Sequence, residues 1–146
     1  MIKDSVRVTG ALTVTLTDSD GLVKQSLNVD NLVVTTGKEA IAGLLGADST
    51  LPMSHMAIGD SVVEAIAGHT ALLSELGRVA LTSSIVSGTS VQYTATFGPA
   101  IGTGAITEAG IFNDVTAGVM LCRTTFPVVN KSELDTITIV WTVTIN

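Results

Sequence analysis

The sequence contains few charged residues and even fewer aromatic ones. Of its 146 residues, 14% are charged and 3% are aromatic, while 46% are hydrophobic and the mean hydropathy is +0.55. This length fits a single β-rich domain, residues 1–146, with a substantial core. An oligomer that hides much of its surface explains the low charge, because obligate interfaces resemble a domain core cut in half.

Positive charge is particularly scarce. Seven lysines and arginines are scattered among thirteen acidic residues, which gives a net charge of −6 and a pI of about 4.6. Binding to phosphates depends on clustered positive charge, so we expect no nucleic-acid partner. One tryptophan and one tyrosine also supply little aromatic surface for stacking on bases or sugars.

Long apolar runs and paired cysteines are absent as well. No run approaches the roughly 20 apolar residues that cross a bilayer, so we expect no membrane partner. The N-terminal stretch "MIKDSVRVTG" has no apolar core of the kind found in secretory signals. Cys122 is the single cysteine, which excludes an intrachain disulfide, and its setting in "VMLCRTTF" predicts a buried thiol.

No pattern of reactive side chains points to catalysis. His55 and His69 are the two histidines, and neither has neighbours at metal-ligand spacing. "GPAIGTG" matches neither a dinucleotide fingerprint nor a phosphate loop. A small enzyme acting on host glycans would need a carboxylate pair beside sugar-stacking aromatics. We therefore predict a protein that is not an enzyme, with no catalytic residue, metal or cofactor.

The dominant pattern in the sequence is an alternation of apolar and polar residues with a period of two. Residues 6–17, 91–97 and 136–146 alternate apolar with polar side chains, and the polar ones are mostly threonine. "DSDG" at 18–21 predicts a hairpin turn, and "SGTS" at 87–90 predicts a second hairpin, between "RVALTSSIV" and "VQYTATF". Many short strands without a βαβ rhythm predict a mainly β fold, an antiparallel β-sandwich or barrel.

Two segments have helical spacing. Residues 36–46 predict one short helix, since Thr36 and Glu39 have capping-box spacing and Gly46 suits the C-terminal end. Residues 70–76 predict a second helical turn with its leucines facing inward.

Five segments in order resemble a group of small structural proteins of tailed-bacteriophage virions. In that group a Thr-Gly-x-x-x-Ile/Leu helix precedes an "ALGTG"-like turn, and "LxxELGR" precedes "TGAITEAGLFN", where this chain has Ile111 in place of leucine. The group closes with "FPVVNK" and a "TITWTVTI" strand. The similarity covers residues 31–146 and rests on the segments NLVVTTGKEAIAGLLG, MSHMAIGD, TALLSELGRVALTS, VQYTATFGPAIGTGAITEAGIFND and CRTTFPVVNKSELDTITIVWTVTIN.

The resemblance implies a structural virion protein that forms a homotrimer. A capsid decoration (cement) protein would bind the major capsid protein on the outer surface of the capsid, after assembly in the host cytoplasm. The alternative that the same resemblance implies is a tail-fibre or baseplate-associated adaptor. In either role the function depends on contact area between folded subunits.

Two segments are candidates for those contacts. Residues 1–8, with Lys3, Asp4 and Arg7, predict an N-terminal arm that lies on the capsid or on a neighbouring subunit. In "GPAIGTGAITEAG", small residues let two backbones approach closely, which makes Gly102, Thr103 and Gly104 candidate interface residues, and Glu108 a candidate partner for amides or a cation of another subunit. The alternative is an ordinary loop followed by a core strand.

Overall fold

A computed structural model describes residues 4–48 and 50–146 of the chain. Lys3, which belongs to the predicted arm, lies outside these residues. The described residues form nine strands and one helix: β1 Val8–Thr17, β2 Val23–Val33, α1 Thr35–Leu45, β3 His55–Gly59, β4 Glu75–Ala80, β5 Ser83–Ser87, β6 Ser90–Phe97, β7 Gly104–Phe112, β8 Met120–Lys131 and β9 Thr136–Ile145.

The strands make one continuous antiparallel sheet in the order β4-β3-β7-β8-β2-β1-β9-β6-β5. β4 and β5 lie at opposite edges, yet two residues separate them in sequence. A chain covers about 3.5 Å per residue, so the two edges must come close together at this link. The sheet therefore curls into a half-barrel, which confirms the predicted mainly β, barrel-like architecture with one short helix.

The link between β4 and β5 corrects one detail of the prediction. "RVALTSSIV" reads as one strand in sequence, but it contains the end of β4 and most of β5. Leu81 N–H donates to Ser54 O at 2.9 Å, and Thr82 N–H donates to Thr94 O at 2.7 Å. The two link residues thus face opposite edges of the curled sheet and hold them together.

The predicted alternation places the core on the inner face of the sheet. Leu12, Val14 and Leu16 of β1 pair in register with Trp141, Ile139 and Ile137 of β9, and all six side chains are buried. Burying each such side chain contributes roughly 1.5–3 kcal/mol. The threonines between them lie on the outer face, as the alternation predicts.

Helix α1 begins at Thr35 and ends at Leu45, close to the predicted 36–46, but the predicted capping box is wrong. The N-cap residue is Val34 and makes no side-chain cap. Thr36 Oγ1 donates instead to Met120 O at 2.8 Å. Gly37 also faces β8, where a Cβ would overlap Leu121 O. Packing against β8 therefore determines where the helix begins.

The predicted helical turn at 70–76 is also wrong. Residues 61–74 form an irregular segment, called here the 61–74 loop, and β4 begins at Glu75. Leu72 is buried whereas Leu73 and Leu76 are exposed. The backbone amides of Leu73 and Ser74 donate to the Glu108 carboxylate, so they are not available for helical hydrogen bonds.

The β1–β2 turn is confirmed. Asp18 Oδ1 accepts hydrogen bonds from the amides of Asp20 at 2.9 Å and Leu22 at 3.0 Å. Gly21 has φ +83°, a conformation that glycine adopts without steric cost.

The β8–β9 turn depends on one carboxylate, and this gives a pH-dependent prediction. Hydrogen bonds from Lys24 Nζ (2.8 Å) and the Ser132 amide (2.9 Å) lower the pKa of Asp135 to about 2. A lowered pKa stabilises the fold above the unfolded value of about 3.9, and this contribution is lost as the pH falls through about 2. Asp135→Asn should therefore reduce stability at about pH 6, and the deficit should shrink between about pH 4 and pH 2.

Urea unfolding of both proteins across this pH range measures the effect. Asp20→Asn in the exposed β1–β2 turn is the control for the general effect of removing one negative charge. A stability deficit of Asp135→Asn that stays constant from about pH 6 to pH 2 would contradict a stabilising role for the ionised Asp135 carboxylate.

Candidate assembly surface and a buried ion pair

A fully buried ion pair joins the two central strands of one half of the sheet. Glu108 on β7 and Arg123 on β8 have no exposed side-chain surface. Arg123 Nη2 and Nε donate to Glu108 Oε2 at 2.8 and 3.0 Å. The register pairs Gly110 with Arg123, so the two side chains meet as diagonal neighbours across the strands.

The same ion pair holds the 61–74 loop on the sheet. Glu108 accepts from the amides of Ser74 at 2.8 Å and Leu73 at 3.2 Å. Arg123 Nη1 donates to Val63 O at 2.8 Å and to His69 Nδ1 at 3.3 Å. Loop backbone groups thus complete the hydrogen bonding of both buried charges, which a charge taken out of water requires.

His69 accepts hydrogen bonds beside the ion pair, and this requires one particular tautomer of its ring. Its Nδ1 lies 3.2 Å from the Ile66 amide as well as 3.3 Å from Arg123 Nη1, and both of these groups can only donate. Nδ1 is therefore the acceptor, and a neutral ring carries its proton on Nε2. The sequence pattern did not reveal that His69 accepts a hydrogen bond from Arg123, nor that Arg123 forms a buried ion pair. For Arg123 the single local indication is a charged residue inside the apolar strand "VMLCRTTF".

The position of Glu108 argues against its predicted role in a contact between subunits. Both of its oxygens are bonded to groups of the same chain, and no part of the side chain reaches the surface. The sequence pattern predicted amides or a cation of another subunit as the partners of Glu108. Its partners belong instead to its own fold.

The loop of residues 98–103, which precedes β7, is similarly fixed by its own chain. Gly102 is buried with φ +65°, and a Cβ there would contact Ile58. Lys131 Nζ donates to Gly98 O at 2.8 Å. Gly102 therefore serves packing within the chain. Thr103 is exposed and Gly104 half-buried, and their part in a subunit contact stays a prediction.

The described part of the predicted arm runs beside α1. Asp4 and Arg7 are exposed, and the backbone of Arg7 pairs with that of Asn146 through bonds of 3.0 and 2.7 Å. Residues 5–8 form a cleft with Lys38 and Ile41 of α1. The side chains of Asp4 and Arg7 are thus accessible, while β9 holds the end of the segment in place.

Three adjacent strands at one edge of the sheet carry no charged side chain. Residues 79–107 and 136–146 contain no Asp, Glu, Lys, Arg or His, and they include all of β5, β6 and β9, which we call the neutral edge. β5 is its outermost strand, where Ile85 is 56% and Val86 73% exposed. Exposed apolar side chains without nearby charge are typical of contact surfaces between proteins.

An apolar groove adjoins the neutral edge. It lies between α1 and the ends of β6 and β9, has a volume of about 320 Å³, and we call it the α1 groove. Its lining includes Leu44, Leu45, Pro52, Met53, Val91 and Ile145. Val91 pairs in register with Val86, so both side chains lie on the same face and the groove continues to the outer strand.

Two ionisable side chains near the α1 groove, Tyr93 and Cys122, have raised pKa values and are neutral. Burial, with a smaller contribution from Cys122, raises the pKa of Tyr93 in the groove to about 12. Burial also raises the pKa of the Cys122 thiol well above its usual range. Cys122 is fully buried, as its sequence setting predicts, and a protonated buried thiol is a poor nucleophile.

Two further features concern residues 4–48 and 50–146. Within them, no helix has the length and apolar character needed to cross a membrane. The same residues bring together no group of three or more His, Cys, Asp or Glu side chains that could hold a metal ion. Comparisons with protein-family models, with curated proteins and with solved structures find no match to the chain.

Proposed function

We propose that the protein is a structural virion protein of a tailed bacteriophage, and specifically a homotrimeric capsid decoration protein. It binds the shell of major capsid protein from the outside and stabilises it. The observation that carries the proposal is the uncharged surface of the neutral edge together with the apolar α1 groove beside it. Such a surface favours protein partners, and the resemblance of residues 31–146 to virion proteins suggests which ones.

The energetics of decoration suit a small subunit that assembles as a trimer. A standard protein interface buries about 1,600 Å² in total. A trimer presents three identical contacts to the lattice, so each further contact forms at high effective concentration. Any partner that binds the assembled shell and not its separated subunits stabilises the shell by mass action.

Purified protein added to undecorated shells should bind them and raise their thermal transition, and the rise should increase with protein concentration. Sedimentation measures binding, and calorimetry measures the transition of the shell. Bovine serum albumin at equal concentration is the control for crowding. Shells that neither retain the protein nor gain stability would contradict decoration.

A version without residues 1–5 tests the arm in the same assay. It lacks Lys3 and Asp4 and keeps β1, which begins at Val8. An arm on the capsid predicts weaker shell binding at an unchanged melting temperature of the free protein.

The number of copies per particle distinguishes decoration from the alternative role. A tail-fibre or baseplate adaptor is present in far fewer copies per particle than a protein that covers the lattice.

A further inference from the structure

The two edge strands of the sheet differ in how they are protected. β4 carries Glu75 and Arg78, and its pairing with β3 has an irregularity at Ile58 and Gly59. Charged side chains and bulges are among the features by which native sheets prevent edge-to-edge pairing. β4 therefore has the character of an edge that stays unpaired.

β5 has none of these features. Its sequence "SSIVS" contains no charge and no proline, and it pairs with β6 over five residues without a register shift. The outward backbone N–H and C=O groups of such a strand are a template for pairing with another chain. Val86 joins this edge to the α1 groove through Val91, so hydrogen-bonding and apolar surface form one continuous patch.

We infer that β5 and the adjoining α1 groove form the self-association surface, and that the partner is a second copy of this chain. Each copy carries a net charge of −6, and all of that charge lies outside the neutral edge. Two acidic copies therefore meet with least repulsion through β5, β6 and β9. A strongly basic or acidic partner would find no opposite charge there. The inference rests on the self-assembly part of the proposed function.

A lysine on β5 should separate the copies. Val86→Lys places a charge on the outer strand, as natural edge strands do, and leaves the 73%-exposed position compatible with the monomer fold. Leu45→Lys does the same at the 86%-exposed end of the groove. We expect each variant to raise the dissociation constant at least about tenfold, because the charge becomes buried without a partner.

Sedimentation velocity and light scattering across a concentration series give the oligomeric state. Leu134→Lys is the matched control, because Leu134 is 65% exposed and lies in the β8–β9 turn, away from β5 and the α1 groove. This control variant should assemble like the natural chain. Circular dichroism and thermal melting verify that each lysine variant is folded. Hydrogen exchange adds a test without substitution: the amides of residues 83–87 should gain protection as assembly proceeds.

The outcomes separate this inference from the proposed function. If Val86→Lys and Leu45→Lys assemble as well as the natural chain does, the inference is overturned and decoration is left intact. A dimer that Val86→Lys dissociates would support the surface and contradict the homotrimer. A natural chain that is monomeric at every concentration, yet binds shells, would overturn self-association through β5 and indicate that the capsid protein covers the patch.

Discussion

Replacing Arg123 by methionine should lower the free energy of unfolding by about 3–5 kcal/mol. Methionine fills similar apolar volume, but it leaves the Glu108 carboxylate buried with two backbone amides and no cation. Removing one partner of a buried ion pair has this cost because the other charge cannot recover its hydration. Urea denaturation measures the loss, and an unchanged m-value verifies that the same surface unfolds.

The double variant Glu108→Gln with Arg123→Met separates charge from packing. Glutamine removes the unpaired charge, and its side-chain oxygen can still accept from the Ser74 amide. We therefore expect the double variant to be more stable than Arg123→Met alone, although Val63 O still loses its arginine donor and His69 Nδ1 keeps only the Ile66 amide. A double-mutant cycle gives the coupling energy. A loss below about 1 kcal/mol for Arg123→Met would contradict the assignment, as would equal stability of the two variants.

The same substitution should also release the 61–74 loop. Loop amides that exchange slowly in the natural chain should exchange faster in Arg123→Met, because Leu73 and Ser74 donate to a carboxylate that is no longer held by arginine. The amides of β1 and β9, which do not touch the pair, serve as the internal reference. Equal acceleration throughout the sheet would indicate global destabilisation without a specific role in holding the loop.

Gly10→Ala should be nearly as damaging, although alanine is the smallest possible side chain. Gly10 lies on the inner face of β1 opposite Asn31, whose side chain occupies the space that a Cβ would need. Asn31 Oδ1 accepts from Trp141 Nε1 at 2.8 Å. A methyl group at position 10 displaces this amide and leaves the buried indole N–H without an acceptor. Overpacking and the lost hydrogen bond together should cost about 2–4 kcal/mol.

Trp141 provides a direct readout because it is the single tryptophan of the chain. Its fluorescence should change in Gly10→Ala, and urea denaturation should show the loss of stability. Gly68→Ala is the matched control, since no atom lies within 4 Å of its Cβ position, and it should be near neutral. Adding Asn31→Ala to Gly10→Ala removes the overlap, so the two losses should not add. Similar stability of Gly10→Ala and Gly68→Ala would refute the packing argument.

These two sites show where inference from the sequence reaches its limit. The alternation of residues 6–17 and 136–146 places Gly10 and Trp141 on the apolar side of their strands, and Trp141 is buried there. The bond between Asn31 and Trp141 spans 110 residues, so no local pattern contains it. Likewise Glu108 in "TEAG" was predicted to bind amides or a cation of another subunit, but its arginine and the amides that it binds lie 15 to 35 residues away in the same chain.

The helical segments illustrate the same limit. The periodicity of residues 36–46 predicted α1 correctly, because the spacing of its apolar residues is a local property. Residues 70–76 have comparable leucine spacing but no helix, because the Glu108 carboxylate binds two of their amides. A hydrogen bond to a buried charge is stronger than the small local preference for a helical turn.

By itself, the sequence determined the mainly β class, the period of most strands, the two hairpin turns and the uncharged segments, because alternation, turn chemistry and composition act over a few residues. Only the tertiary structure decided which strands are neighbours. It brought β5, β6 and β9 together into one neutral edge, placed β4 and β5 at opposite edges, and buried Glu108 against Arg123. Pairing between distant strands depends on how the whole sheet curls around its core, and no short stretch of sequence contains that information.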